Sequence, residues 1–166
     1  MPAEIWLPAY IGLGSNLDDP VAQLTRAFAE LAELPSSRLV ARSRLYRSPP
    51  LGGLLQPDYM NAVAGLLTRL EPQVLLDTLH AIERAHGRDR TESQRWAART
   101  LDLDLLVYGG LKLKSEWIEI PHPGIAARNF VLWPLLEVAP GLHIPGLGTV
   151  AELAAATDRS ALELVG

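Results

Sequence analysis

The sequence predicts an α+β fold, in which helices flank an antiparallel sheet, and two observations lead to that prediction. Segments with the alternation of strands and segments with helical periodicity follow one another in the order β-α-β-β-α-β. The chain has 166 residues, of which 48% are hydrophobic, and this suits one domain with its own core. We therefore expect a single domain over residues 1–166, with a ferredoxin-like βαββαβ core and C-terminal additions.

The first strand and helix are defined by glycine, aspartate and proline signals. Residues 8–14 read as a strand that ends at a glycine. Asp18 or Asp19 can then cap a helix that has Pro20 at its first position and ends near Pro35. The apolar stripe predicted for this helix comprises Val21, Leu24, Phe28 and Leu31.

Two strands and the second helix complete the middle of the chain. A strand is expected over residues 38–47, and another over residues 59–67. Between them lies SPPLGGLLQPDY (residues 48–59), whose three prolines and two glycines predict a long functional loop. Pro72 opens a second helix that ends at Gly87. Its predicted buried face carries Leu75, Leu79 and Ile82.

The C-terminal half contains one strongly predicted strand and several shorter elements. RTLDLDLLVYGG (residues 99–110) reads as a buried strand closed by a Gly-Gly turn. A short hairpin can follow over residues 111–120. A helix is expected over residues 130–138, and TVAELAAAT (residues 149–157) is compatible with a last short helix.

Asp102 and Asp104 interrupt this leucine-rich strand. Residues i and i+2 of a strand face the same side, so the two carboxylates project together, roughly 6–7 Å apart. Two carboxylates on one face suit Mg²⁺, with phosphate oxygens completing the coordination. The alternative is a half-exposed strand whose acids are solvated or prevent edge-to-edge pairing.

An arginine-rich segment immediately before the strand favours the functional interpretation. Mobile arginines beside paired carboxylates match the requirements of phosphoryl transfer, where Mg²⁺ holds the phosphates and arginines neutralise developing charge. The alternative is a surface loop whose arginines pair with Asp89 and Glu92. The arginines of this segment are Arg88, Arg90, Arg95 and Arg99.

Composition excludes several classes of protein. A net charge of −4 is too mild for a polyanion-binding protein, and an acidic sheet face argues against an RNA-binding ferredoxin-like module. There is no cysteine, so disulfides and thiolate metal sites are excluded. No apolar run approaches the roughly 20 residues that span a bilayer, and no signal peptide is recognisable. We expect a cytoplasmic protein that binds small molecules and neither nucleic acid nor membrane.

Several blocks of the sequence resemble the 6-hydroxymethyl-7,8-dihydropterin pyrophosphokinase family. The resemblance extends over nearly the whole chain, with the blocks in order and correctly spaced. It rests on YIGLGSNL (10–17), SPPLGGLLQPDYMNAV (48–63), RWAARTLDLDLL (95–106) and PHPGIAARNFVLWPLLEVAP (121–140).

The resemblance implies an enzyme of folate biosynthesis that transfers the diphosphate of ATP to the hydroxymethyl oxygen of the pterin and releases AMP. ATP would be the co-substrate, and Asp102 and Asp104 would hold two Mg²⁺ ions. The residues implied in catalysis are Arg88, Arg99, Asp102 and Asp104. Those implied in pterin binding are Ser48, Pro49, Leu51, Tyr59, Asn61 and Phe130. Those implied in ATP binding are Glu83, Arg90, Trp96, Arg99, His122 and Arg128.

The sequence departs from the family pattern at a few positions. Ala97-Ala98 stand where relatives commonly have Gly-Pro, and Trp117 stands where some relatives have arginine. The two long irregular segments, residues 48–58 and 88–98, are expected to close over the substrates and exclude water. A different Mg²⁺-dependent phosphotransferase is the alternative, although Tyr59, Asn61 and Phe130 favour a flat acceptor with a polar edge.

Overall fold

The computed structural model describes residues 5–50, 56–87 and 100–165 of the chain. An antiparallel sheet lies at the centre, with α-helices on both faces. The strands of this sheet are β1 (Leu7–Ser15), β2 (Ser37–Arg42), β3 (Tyr46–Ser48), β4 (Tyr59–Thr68), β5 (Asp102–Tyr108) and β10 (Glu163–Leu164). The helices are α1 (Pro20–Ala32), α2 (Pro72–Ala85), α3 (Asn129–Val138) and α4 (Val150–Ala155).

Smaller elements connect these parts near the C-terminal half. Two short hairpins lie beside the main sheet, and a 3₁₀ turn precedes α3. The hairpin strands are β6 (Leu113–Lys114), β7 (Glu119–Ile120), β8 (His143–Ile144) and β9 (Gly148–Thr149), and the 3₁₀ turn is Ile125–Ala127.

The strands of the main sheet run in the order β10-β3-β4-β1-β5, and β2 pairs with β4 beside β3. Every pairing in this sheet is antiparallel. Among the described strands, β1 and β4 therefore form the middle of the sheet, and β5 forms one edge. The predicted antiparallel sheet flanked by helices is confirmed.

Helix α1 begins as its sequence predicts. The Asp19 side chain accepts a hydrogen bond from the backbone N–H of Ala22 at 3.4 Å, and Pro20 occupies the first helical position. Leu24, Phe28 and Leu31 are buried against the sheet. Val21 is 41% exposed, so the apolar stripe begins one turn later than the sequence predicts.

The strand predicted over residues 38–47 is wrong in one respect, because the chain forms two strands, β2 and β3. Ser43 lies between them and explains the break. Its backbone N–H donates to the Val63 carbonyl, and its hydroxyl accepts from the Val63 N–H, each at 2.9 Å. The hydroxyl thus takes a place that a backbone carbonyl has in a regular ladder, and the N–H of the next residue, Arg44, donates to the Glu137 carboxylate at 3.0 Å.

The two faces of the sheet bury different clusters. Alternating residues of β1, such as Ile11 and Leu13, join the buried residues of α1 and α2. Tyr10 and Leu106, on the opposite face, pack in a second cluster with α3 and α4. Helix α3 packs on β4, and the rest of this second face carries the candidate site described below.

Candidate active site

A cleft of about 800 Å³, including the open solvent at its mouth, lies on the face of the sheet that α3 partly covers. It brings together most of the residues that the sequence predicts for two different roles, pterin binding and catalysis. Its lining residues are Gly12, Leu13, Gly14, Ser48, Pro49, Tyr59, Asn61, Ala62, Asp102, Asp104, Arg128, Phe130 and Val131.

One row of residues across the sheet sets the layout of this cleft. Gly14 of β1 lies opposite Asn61 on β4 and opposite Asp102 on β5. Since neighbouring strands lie about 4.8 Å apart, the backbones of Asn61 and Asp102 are separated by about 10 Å, with a glycine between them. A β-carbon at Gly14 would stand 3.6 Å from Asn61 Oδ1 and 3.8 Å from the Tyr59 ring, so the glycine leaves the floor of the cleft open.

Asp102 and Asp104 both line the cleft, as their spacing predicts. Leu103 and Leu105 point the opposite way and are buried in the cluster beneath α1 and α2. The two carboxylates therefore stand on the polar side of a strand whose other side anchors it to the core. Gly12 lies opposite Asp104, again with no side chain to fill the space between strands.

His122 and Arg128 approach Asp104 from the loop that leads into α3. His122 Nε2 lies 3.7 Å from Asp104 Oδ1, and Arg128 Nη1 lies 3.9 Å from Asp104 Oδ2. His122 Nδ1 accepts a hydrogen bond from the Gly124 N–H at 3.0 Å, so the proton of the neutral ring is on Nε2. Burial and the neighbouring Arg128 guanidinium lower the pKa of His122 to about 4. Near neutral pH, a neutral imidazole therefore faces Asp104 with its N–H.

The far end of the cleft is polar but tightly fixed. Asn61, only 4% exposed, donates from Nδ2 to Ser48 Oγ at 2.8 Å and to the Tyr46 carbonyl at 3.2 Å. A carbonyl oxygen can only accept, so this contact fixes which end of the Asn61 amide is the nitrogen. The amide oxygen is then directed towards Gly14, on the cleft side.

Tyr59 and Phe130 supply the aromatic walls of the cleft. Tyr59 is the first residue of β4 and pairs with Ser48, whereas Phe130 lies in the first turn of α3. Both rings are half-buried and both line the cleft, as does Pro49. Phe130 also packs against the cluster beneath α3, which fixes one wall to the core.

A second cleft, of about 720 Å³, opens on the other side of Asp104. It lies between α2 and the β6–β7 hairpin, and Asp104 lines both clefts. Trp117, at the turn of that hairpin, stands at its rim with 76% of its surface exposed. The lining residues are Leu76, His80, Leu103, Asp104, Leu105, Ser115, Glu116, Trp117, Ile118, Glu119, His122 and Pro123.

Not every residue predicted for the site can be placed in these clefts. Glu83 is buried at the end of α2 and is not among the lining residues of either one. Its carboxylate accepts a hydrogen bond from the backbone N–H of Leu103 at 2.7 Å. The predicted site residues that lie outside the described part of the chain are Leu51, Arg88, Arg90, Trp96 and Arg99.

The donors in the first cleft fit Mg²⁺. Asp102 and Asp104 offer hard carboxylate oxygens side by side, the ligands that Mg²⁺ prefers when phosphates and water complete its shell. Among residues 5–50, 56–87 and 100–165 there is no group of three or more His, Cys, Asp or Glu side chains that could hold a metal ion by itself. Two carboxylates leave coordination positions that phosphate and water oxygens can fill.

Gly12 and Gly14 lie within β1, which runs one residue beyond the predicted end of the strand, to Ser15. Sequence reasoning missed Asn16, which follows this strand and shapes the site. Asn16, 2% exposed, donates to Gln56 Oε1 at 2.8 Å and to the Pro57 carbonyl at 3.0 Å. It thereby holds the end of the loop before β4 against the end of β1. The signal available for it was its place in the GSN motif.

A sequence profile of the family described as 7,8-dihydro-6-hydroxymethylpterin-pyrophosphokinase (HPPK) matches residues 10–140. The chain belongs to this family. Two relatives, both named 2-amino-4-hydroxy-6-hydroxymethyldihydropteridine pyrophosphokinase, are 46% identical to it. The protein from Haemophilus influenzae aligns over 147 residues, 89% of this chain and 91% of the relative. The protein from Pseudomonas aeruginosa aligns over 154 residues, 93% of this chain and 94% of the relative.

Solved structures agree with the fold of this HPPK family member. A crystal structure of Plasmodium falciparum HPPK-DHPS with pteroate superposes with a TM-score of 0.72 at 13% identity, covering 91% of this chain. The match spans 42% of the length of the Plasmodium chain. At this identity the likeness concerns the fold alone. Among the described residues, no helix has the length and apolar character that crossing a membrane requires.

Proposed function

We propose that this chain transfers the diphosphate group of ATP to 6-hydroxymethyl-7,8-dihydropterin and releases AMP, a step of folate biosynthesis. The hydroxymethyl oxygen of the pterin attacks the β-phosphorus of ATP and loses its proton. The bond from that phosphorus to the oxygen bridging the α- and β-phosphates breaks, and AMP leaves with this oxygen. The supporting observation is the row Asn61–Gly14–Asp102, which sets a polar, aromatic-walled slot about 10 Å from paired carboxylates.

The pterin would occupy the slot between Tyr59 and Phe130. A flat heterocycle between two rings is stabilised by stacking, and its polar edge requires fixed hydrogen-bonding partners. Asn61 meets that need because its nitrogen is held by Ser48 and its oxygen is directed to the cleft. Pro49 lines this slot, and from the family resemblance Leu51 would also contact the pterin. The hydroxymethyl group would then extend along the floor at Gly14 towards Asp102.

Asp102 and Asp104 would hold Mg²⁺, and the family resemblance implies two ions. Bound there, Mg²⁺ would neutralise phosphate charge and so make the β-phosphorus more susceptible to nucleophilic attack. The protein's own part is placement, since the two carboxylates stand on a strand whose other face is buried. No protein nucleophile is needed, because the acceptor is the pterin oxygen.

The nucleotide would enter from the second cleft, which shares Asp104 with the first. His122 lines this cleft, and its Nε2–H can donate to a phosphate oxygen. Arg128 lies on the opposite side of Asp104 and can neutralise phosphate charge. In this arrangement the adenosine end lies near Trp117 and the triphosphate ends at the aspartates.

Arginines from the segment before β5 complete the proposal. From the family resemblance, Arg88 and Arg99 would contact the phosphates, and Arg90 and Trp96 would belong to a segment that closes over ATP. Charge neutralisation by such donors is usually the largest contribution to phosphoryl transfer. Closure would exclude water and commit ATP to transfer rather than hydrolysis.

We also propose a ferredoxin-like core within a single domain over residues 1–166. The supporting observation is the order of the sheet, in which β1 lies between β4 and β5 and helices α1 and α2 follow β1 and β4 along the chain. That is the strand order expected when two split βαβ units interlock.

The test is AMP formation from ATP and Mg²⁺, measured with and without 6-hydroxymethyl-7,8-dihydropterin. We expect AMP only when the pterin is present, in equal amount to the pterin diphosphate ester. Formation of ADP, or of AMP at the same rate without pterin, would contradict the proposal and point to a different phosphotransferase. The Asp104→Asn variant, assayed in parallel, serves as the inactive control.

A further inference from the structure

The buried carboxylate of Glu83 is the feature of the molecule that the proposed reaction leaves unexplained. Glu83 ends the buried stripe of α2, at a position where the preceding buried residues are apolar, and only 1% of it is exposed. Its Oε2 accepts a hydrogen bond from the backbone N–H of Leu103 at 2.7 Å. Leu103 is the residue between Asp102 and Asp104.

The position of β5 explains why this hydrogen bond matters. Within the part of the chain that the structure describes, β5 is an edge strand, paired with β1 on one side only. An edge strand has alternate N–H and C=O groups that the sheet does not satisfy. The Leu103 N–H donates to the Glu83 carboxylate, and the backbone N–H of His122 donates to the Leu106 carbonyl at 2.9 Å. The strand is therefore held at two points, on either side of Asp104.

The choice of a carboxylate at this place needs a physical reason. Burying a charged group is costly, and a leucine would continue the apolar stripe of α2 more cheaply. A glutamate side chain, however, is long enough to bring an oxygen acceptor to the Leu103 N–H, which a leucine would leave without this hydrogen bond. Fixing the Leu103 N–H fixes the peptide plane between Asp102 and Leu103. That plane sets the direction in which the Asp102 side chain leaves the strand, and with it the separation of the two carboxylates.

We propose that Glu83 is a positioning residue for the Mg²⁺ site: through the Leu103 peptide it sets the geometry of Asp102 and Asp104, without touching ATP. This inference rests on the proposed function only in taking the two aspartates as the metal ligands. It replaces the expectation from the family resemblance that Glu83 lines the ATP site.

Two substitutions of Glu83 separate the effect of its side-chain length from the effect of its charge. Glu83→Asp keeps the charge but shortens the side chain by one methylene, so the carboxylate no longer reaches the Leu103 N–H. Glu83→Gln keeps the length and an oxygen acceptor but loses the charge. If Glu83 acts by positioning the Leu103 peptide, Glu83→Asp should lower metal affinity more than Glu83→Gln. If Glu83 acts by its charge on the metal or on ATP, Glu83→Gln should lower metal affinity more than Glu83→Asp.

The measurements are Mn²⁺ binding to the protein with α,β-methylene-ATP, followed by electron paramagnetic resonance, and hydrogen exchange of the Leu103 amide. For Glu83→Asp we expect Mn²⁺ affinity to fall by about 10- to 100-fold, the usual effect of losing a group that orients a metal ligand. Exchange of the Leu103 amide should accelerate in parallel. For Glu83→Gln, both the Mn²⁺ affinity and the exchange rate of the Leu103 amide should stay within about threefold of their values in the unaltered chain.

Glu137 offers a matched control. Its carboxylate also accepts from a backbone N–H, that of Arg44 at 3.0 Å, and from the Tyr46 hydroxyl at 2.7 Å, but it lies outside both clefts. Glu137→Asp should lower the melting temperature without changing Mn²⁺ affinity. A general loss of stability is thereby separated from a change in the metal site.

The inference is overturned if Glu83→Gln loses as much Mn²⁺ affinity as Glu83→Asp, or if Glu83→Asp binds Mn²⁺ as tightly as Glu83→Gln. Neither measurement requires turnover or pterin. If the unaltered chain produced no pterin-dependent AMP, the proposed function would fail while the comparison of the two variants would still decide the role of Glu83.

Discussion

The two faces of the central sheet are built from alternate residues of the same strands, yet they have different roles in the molecule. The face beneath α1 and α2 is apolar along its length, from Ile11 to Leu103. The opposite face is apolar only beneath α3, around Val63 and Leu106, and becomes polar towards Asn61 and Asp102. The closed face supplies stability, and the half-covered face supplies a cleft whose polar groups are held by the packing behind them.

The largest expected effect comes from changing one residue on each face. Asp104→Asn removes a charge that the proposed Mg²⁺ site needs, so turnover should fall on the order of 10³-fold while the fold is retained. Ile11→Ala, on the closed face, should lower the free energy of unfolding by about 2–5 kcal/mol and leave the rate per folded molecule nearly unchanged. Chemical denaturation and single-turnover rates check both. An active Asp104→Asn variant at modest Mg²⁺ would remove the metal role from this residue.

A second comparison concerns the two ends of the cleft. Tyr59→Ala removes one aromatic wall of the pterin slot and should weaken pterin binding by about 1–3 kcal/mol. Because the tyrosine is remote from the second cleft, the affinity for ATP should change little. Calorimetric titration with each ligand separately gives the two numbers. Equal losses for both ligands would mean that the cleft is not divided between pterin and phosphate ends.

How far the sequence predicts this division depends on the kind of contact involved. Elements with several periodic apolar residues, such as α2 and β5, lie where the sequence places them. The break at Ser43 was missed because it depends on a hydroxyl that pairs with Val63, twenty residues away. The two-residue strands β8, β9 and β10 are too short to carry a periodicity.

In the candidate site, too, the sequence predicts local geometry but not contacts between residues that are distant along the chain. The joint orientation of Asp102 and Asp104 follows from strand geometry alone, but their distance from Asn61 depends on the order of the strands. Glu83 accepts from a backbone N–H on a strand twenty residues away, a contact for which no side-chain pattern gives a signal. The family resemblance supplied residues for the site, and only the fold shows how those within the described part of the chain are arranged.

Gly14 permits a test in which stability and binding change in opposite directions. Its backbone is not in the left-handed region, and a methyl group there would meet its neighbours at ordinary contact distances. Gly14→Ala should therefore leave the protein as stable or stabilise it by about 0.4–1 kcal/mol, through the unfolded chain. The same methyl would occupy the floor of the cleft between Asn61 and Asp102, so pterin affinity should fall by about 1–3 kcal/mol. Thermal unfolding and pterin titration check the two parts, and a parallel loss of both would mean that the glycine serves the fold.

The smallest effect is expected at Trp117, on the rim of the second cleft. A side chain with 76% of its surface exposed contributes little to the core, so Trp117→Ala should leave the melting temperature unchanged. If the adenosine end of ATP lies against the indole, its loss should weaken ATP binding by about 0.5–1.5 kcal/mol, whereas Trp117→Phe should retain much of the affinity. Titration with ATP and with inorganic tripolyphosphate separates the base from the phosphates, since only ATP affinity should respond. If Trp117→Ala weakened the binding of ATP and of tripolyphosphate equally, the substitution would act on the phosphate end, at Asp104 and His122, and not on the base. The nucleotide would then have to enter the site in another orientation.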